Sequence, residues 1–362
     1  MKIRFYLLLL SLLVLIPLQP ATAVIIDDLY TIELPVANQT TELRLKAFGE
    51  AFRQVLTKVS GSDEAQKSPG IARLAPDSSR YIKQFSYVTR PGVDAEGTDA
   101  KLLYLKVDFD QQLIEQLLRS RNFPVWGRER PSSLLVINSQ TQGKTRLVAA
   151  DATPEIVDML DSAALNRGVP ILLPLMDLED IRLISSADVT SRRFDTIGIM
   201  AARYGPDALV IGEIMQQGAA SWQGAWEARF AQQIFKWKFK ADSQQLVIEQ
   251  LINHLAAVLA LEYALENNQR SGQDVLLQVS SMSDVSRLVS VQKYLESLNV
   301  VESVYVSLIS GEQVTFRLKL RNSVEDLQRL IEFGDVLEQQ YLPQINTQAE
   351  VDAMIQYNFI GR

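Results

Sequence analysis

The pattern of apolar and polar positions is clearest between Phe194 and Met215. Ile197, Met200, Ala201 and Tyr204 share one helical face, Gly205 and Pro206 end that periodicity, and Ala208 to Ile211 is a continuous apolar run. A helix handing over to a fully buried strand predicts an α/β layer with this strand near its centre.

Upstream, Tyr30, Ile32, Leu34 and Val36 alternate as in a half-buried strand. Leu43 to Val59 carries Leu45, Phe48, Phe52, Val55 and Leu56 on one helical face, and Ser60-Gly61 stops it. Strands are predicted over Phe85–Arg90 and Lys101–Phe109 with a turn over Pro91–Asp99, followed by a helix over Gln111–Ser120. The order is β-α-β-β-α. Phe123-Pro124-Val125-Trp126-Gly127 and Pro131 then mark a module boundary.

The central stretch reads as a strand at Ser133–Asn138, a helix at Pro154–Arg167 with Thr153 as N-cap, and a strand at Val169–Leu173. Asp177 to Ile181 and the helix described first lead into the Ala208 strand. Ser221–Ala241 is strand-like and breaks near Gln232-Gln233, as a hairpin would. Gln244–Leu265 is a long helix, apolar on nearly every side from Leu255 to Leu261, which predicts a deep position between layers. After Asn267-Asn268 the order β-α-β-β-α returns: a strand at Val275–Val279, a helix at Val285–Ser297, strands at Val301–Leu308 and Val314–Leu320, and a helix at Val324–Phe333. The expected architecture is α/β and α+β: a central mixed α/β domain at 128–268, flanked by two small β-α-β-β-α modules at 24–127 and 269–340, with a tail at 341–362.

The first 23 residues change the picture. Lys2 and Arg4 precede an apolar run from Phe5 to Leu18, and Ala21-Thr22-Ala23 matches a cleavage site, so a signal peptide cut before Val24 is expected. The run of about 14 residues is short of the ~20 that span a bilayer. Removing Lys2 and Arg4 takes the net charge from −7 to −9, which argues against a nucleic-acid partner. With 339 residues left, the chain exceeds one compact core. Cysteine is absent, which excludes thiol catalysis, thiolate metal sites and a lipid-bearing cysteine.

Candidate chemistry is sparse. The single histidine, His254, shares a helical face with Leu251 and Val258 and reads as a packing residue. Gly143-Lys144-Thr145 follows a strand, but Asn138 stands where a phosphate-binding loop needs its first glycine, so a hairpin turn is expected there. Asp177, Glu179 and Asp180 form the densest acidic group. They either bind a cation or serve as acid and base beyond a strand end, or they complement a helix dipole. Trp222 and Trp226, with Gly224, Ala228 and Phe230, share one face of a strand and form either a recognition stripe or core. Arg119, Arg121, Arg128 and Arg130 around Trp126 read as a solvated linker.

Phe123-Pro-Val-Trp126-Gly, Leu172-Leu-Pro-Leu-Met-Asp-Leu-Glu-Asp180 and Arg203-Tyr-Gly-Pro-Asp-Ala-Leu-Val-Ile-Gly212, with Val36-Ala37 and Val59-Ser60-Gly61, resemble the bacterial family catalogued as domain of unknown function 2066. The resemblance implies an exported protein of Gram-negative bacteria and brings no catalytic residues. The expectation is a non-enzymatic periplasmic protein that binds or scaffolds an envelope protein or a peptidoglycan-associated partner, with no cofactor, no metal and no membrane segment after signal cleavage. Asp177, Glu179, Asp180, Trp222 and Trp226 are the candidate binding residues. The alternative is a carboxylate-dependent, metal-assisted hydrolase using the same acids.

Overall fold

The computed structural model describes residues 24–93, 99–151, 153–230, 233–264, 273–340 and 354–361. The expected signal peptide lies outside them, as does most of the turn expected over Pro91–Asp99. The chain is a mixed α/β and α+β protein whose strands form three main sheets and one two-stranded ribbon.

The N-terminal module holds strands β1 (Val24–Ile25) and β2 (Thr31–Pro35), helix α1 (Thr41–Ser60), strands β3 (Ile82–Val93) and β4 (Asp99–Phe109), and helix α2 (Gln111–Ser120). Gly61 stops α1 in the left-handed region (φ 73°), and its N–H donates to Thr57 O. Asp110 caps α2 by accepting from the Leu113 N–H at 3.0 Å. The sheet runs β2-β4-β3, all antiparallel, and α1 buries Phe48, Phe52, Val55 and Leu56 against it.

The central domain contains β5 (Glu129–Arg130), β6 (Ser133–Thr141), β7 (Lys144–Leu147), α3 (Pro154–Arg167) and β8 (Ile171–Leu172). It continues through α4 (Leu178–Leu183), α5 (Ser186–Thr190), α6 (Phe194–Ala201), β9 (Ala208–Gly218), β10 (Ser221–Phe230), β11 (Gln233–Ala241) and α7 (Gln244–Tyr263). The order β11-β10-β9-β6-β7 puts β9 in the middle, as its apolar run predicts, with β6 and β9 parallel and β8 beside β6. Both faces are covered. Leu135, Ile137, Val210 and Ile214 meet α3 and α7, while Leu134, Val136 and Ile211 meet α5 and α6. Gln142 and Gly143 both have positive φ and close the β6–β7 hairpin, so Gly143-Lys144-Thr145 belongs to a turn and strand.

Thr153 does not cap α3. Its hydroxyl donates to Ala149 O at 3.0 Å and accepts from the Ala149 N–H, fastening the preceding loop instead. Helix α7 is long and apolar enough to cross a bilayer, yet Leu251, Leu255 and Leu259 are wholly buried in the central core. A sheet on one side supplies the apolar environment that its composition requires.

The C-terminal module comprises β12 (Gln273–Ser280), α8 (Val285–Ser297), β13 (Val301–Ser310), β14 (Gln313–Leu320), α9 (Val324–Phe333), β15 (Leu337–Gln339) and β16 (Met354–Phe359). Its sheet runs β13-β14-β12-β16-β15. The segment expected as a tail therefore supplies β16, parallel to β12, and buries Tyr357. Ile355, Tyr357 and Phe359 alternate with polar residues, a strand signal whose partners are distant in sequence.

Candidate functional site

The acids singled out in the sequence do come together, but as a structural clasp. Asp177 caps α4, its Oδ1 accepting from the N–H groups of Glu179 (3.0 Å) and Asp180 (2.9 Å). Arg203 reaches back from beyond α6 and pairs with Asp177 Oδ2 at 2.8 Å, with Glu179 Oε2 at 3.2 Å and with Asp180 Oδ1. The buried Asp180 carboxylate also accepts from the Tyr204 hydroxyl (2.5 Å) and from the Met176 N–H (3.0 Å). The Arg203 hydrogen bond holds the Asp177 carboxyl well below its ordinary range. A carboxylate stabilised that strongly as an anion is a poor general acid or base near neutral pH.

The tryptophans separate. Trp226 is buried and lies across β9, where a Cβ on its cross-strand partner Gly212 would sit 1.8 Å from its ring. It is core, because the glycines at 212 and 224 leave the space that its ring fills. Trp222 is half-buried and lines a cavity of about 480 Å³ near the β6–β7 turn and the start of α3. His254 packs on Trp237 with ring centroids 4.7 Å apart, and burial lowers its pKa.

Of the four arginines around Trp126 expected as a solvated linker, Arg121 is exposed, but the segment from Phe123 to Arg130 is where all three modules meet. Val125 joins the N-terminal core and Trp126 the central one. Arg130 is fully buried, stacks 4.0 Å over the Trp126 ring and donates only to backbone carbonyls: Lys58 (2.7 Å), Trp126 (3.0 Å), Gly127 (3.0 Å), Arg167 (2.9 Å) and Gly168 (2.7 Å). These acceptors include orphan carbonyls at the ends of α1 and α3, where a cation also complements the helix dipole. Arg167 extends the joint by donating to Gly61 O (3.0 Å) and pairing with Asp63 (2.9 Å). Lys58 donates to Asp28 O and Thr31 O, and burial lowers its pKa to about 8. A tryptophan and an arginine four apart between two prolines was the only trace of this joint in the sequence. Residue composition cannot show that the arginine points inward.

The C-terminal module docks on the same segment. Asn299 Nδ2 donates to Val125 O at 3.0 Å, and Gly127 leaves room for the Asn299 side chain. Between the two small modules lies a water-facing cleft of about 720 Å³. One wall carries Lys83, Gln112, Glu115 and Arg128, the other Glu296, Glu302 and Arg321. Glu115 is buried and accepts from the Tyr30 hydroxyl (2.7 Å), Gln111 (2.9 Å) and Arg119 (2.8 Å). Burial, then the charge of Glu115, raises the Tyr30 pKa. At the cleft floor Glu129 Oε2 is buried with no hydrogen-bond partner among the described residues, and burial raises this carboxyl to about 8, with Asp335 adding to the shift. No group of three or more metal-ligating side chains is gathered among the described residues.

Fold and site together define a modular α+β protein with a buried polar joint and an open polar cleft. Within it, residues 23–127 match the family described as Domain of unknown function (DUF8605), and residues 275–339 match DUF2066. The resemblance to domain of unknown function 2066 is thus supported in the C-terminal module. Phe123–Gly127 lies in the first match, whereas Leu172–Asp180 and Arg203–Gly212 lie between the two. No curated protein matches the chain. Among solved structures it is similar to lipoprotein GNA1162 from Neisseria meningitidis, at 13% identity over 36% of this chain and 99% of that one, with a TM-score of 0.21. It is also similar to prolyl-tRNA synthetase from Cryptosporidium parvum complexed with L-proline and AMP, at 9% identity over 62% and 50%, with a TM-score of 0.18. Likenesses this slight say nothing about activity.

Proposed function

We propose that the chain is a non-enzymatic, exported protein of the Gram-negative periplasm that binds or scaffolds an envelope protein or a peptidoglycan-associated partner. The observation that carries this reading is the cleft: about 720 Å³ of water-facing space, with charges of both signs, between two modules fastened to one buried joint. Pockets between modules are common ligand sites, and fixed walls lower the ordering cost of binding. Export rests on the cationic start, short apolar run and Ala21-Thr22-Ala23. The hydrolase alternative draws no support from Asp177, Glu179 and Asp180, because capping and Arg203 engage all three.

A photo-crosslinking side chain placed at Lys83 or Gln112 in cells tests the reading. A discrete adduct from both cleft positions, absent when the probe stands at Lys238 on the central sheet, is expected. Equal labelling from Lys238, or no adduct from either cleft position, would overturn it. The mature protein should begin at Val24 by mass spectrometry, and an intact Met1 in the membrane fraction would refute export with cleavage.

A further inference from the structure

An open sheet edge is a template for another strand, and soluble proteins blunt such edges with lysine, proline or brevity. This molecule does so at nearly every edge. Strand β11 carries Lys236, Lys238 and Lys240, β3 carries Lys83, Arg90 and Pro91, and β2 is five residues long with Glu33 and Pro35. Strand β7 has four residues including Lys144 and Arg146, and β15 has three. Strand β13 is the exception. It is ten residues long, forms the outer edge of its sheet, and carries no charge, proline or glycine from Ser303 to Ser310.

The exposed part of that edge is apolar. Tyr305 is 64%, Val306 40%, Leu308 60% and Ile309 60% exposed. A register shift between Val306 and Leu308 places Tyr305 and Leu308 opposite Arg317 and Thr315, while Val306 and Ile309 stand opposite the buried Phe316 and Val314. Both faces of the edge therefore offer apolar side chains beside backbone groups that have no strand partner among the described residues.

We infer that β13 pairs antiparallel with β13 of a second copy, so that two sheets become one across a dimer. An uncharged apolar edge selects an uncharged apolar strand, and β13 itself is such a strand. Pairing about a two-fold axis at Ser307 sets Tyr305 against Ile309 and Val306 against Leu308, apolar on apolar. Glu302, before the apolar run, is paired with Lys319 at 2.9 Å within the same copy. The inference stands independently of the proposed cleft function.

Sedimentation velocity on the mature chain, over a concentration series, tests it together with Leu308→Lys. The wild type is expected to shift from monomer to dimer as concentration rises, and Leu308→Lys to remain monomeric with an unchanged melting temperature. A wild type that stays monomeric throughout, or a dimer that survives Leu308→Lys, overturns the inference. Should Leu308→Lys melt earlier, hydrogen exchange on the wild type decides. Concentration-dependent protection of amides between Ser303 and Ser310 supports the pairing, and protection that ignores concentration refutes it.

Discussion

The two small modules follow one plan and attach to the centre by different means. Each runs β-α-β-β-α, and in each the third strand lies between the first and second: β2-β4-β3 in one, β12-β14-β13 in the other. The N-terminal module is fastened by buried cations of the central domain, Arg130 and Arg167, that hold the main-chain carbonyls of Lys58 and Gly61. The C-terminal module is fastened by the neutral Asn299 amide, buried on Val125 O, and only at less buried positions by cations, Arg119 on Asn299 O (3.4 Å) and Arg329 on Glu262 O (3.3 Å). Shared topology thus fixes the inside of a module, while its attachment depends on single polar residues outside the repeated plan.

The sharpest break of that contrast is Arg130→Ala. It leaves several carbonyls without a donor in a site closed to water, and a buried unsatisfied group costs about 1–3 kcal/mol. Urea unfolding is expected to show a loss of that size, and a loss below about 1 kcal/mol would mean the joint is not what holds α1 to α3. Leu255→Ala serves as the apolar reference, because Leu255 is fully buried in the central core. Its truncation should cost about 2–5 kcal/mol through lost transfer energy and a cavity. A change under about 0.5 kcal/mol, typical of a surface site, would contradict the position of α7.

Asn299→Ala removes one buried hydrogen bond and should cost about 1–3 kcal/mol. It should also raise hydrogen exchange in the C-terminal module more than in the N-terminal one. Equal protection in both modules would erase the proposed difference in attachment. The remaining test concerns pH. With its carboxyl raised to about 8, native Glu129 keeps a proton that the unfolded chain has already released. Its contribution is therefore full below the ordinary glutamate value and fades as pH climbs towards about 8. Glu129→Gln should remove that slope, so the variant gains on the wild type between about pH 5 and about pH 9. Parallel stability curves for the two proteins would show that Glu129 is not buried in its protonated form.

Elements with local signals were legible without coordinates. Helices at Pro154–Arg167, Val285–Ser297 and Val324–Phe333 begin and end where their periodicity does. Gly61 and Gly205 occupy the positive-φ positions that their places after helices require. The acids at 177–180 were legible as helix-start residues, but Arg203, which binds them, sits more than twenty residues away. No local pattern announces such a partner.

By itself the sequence determined most of the longer helices and strands, that α7 and β9 lie deep, and that the N-terminal and C-terminal modules share an order of elements. Those properties follow from the spacing of apolar residues and from glycine and proline at the ends of elements, which act over a few neighbours. Only the tertiary structure decided that Arg130 is a buried clamp, that Trp226 fills the hollow at Gly212, that residues 354–359 complete a sheet, and that β13 is a bare edge. Each depends on groups that are remote along the chain, and burial of a side chain or pairing of a strand edge is settled only when those groups meet.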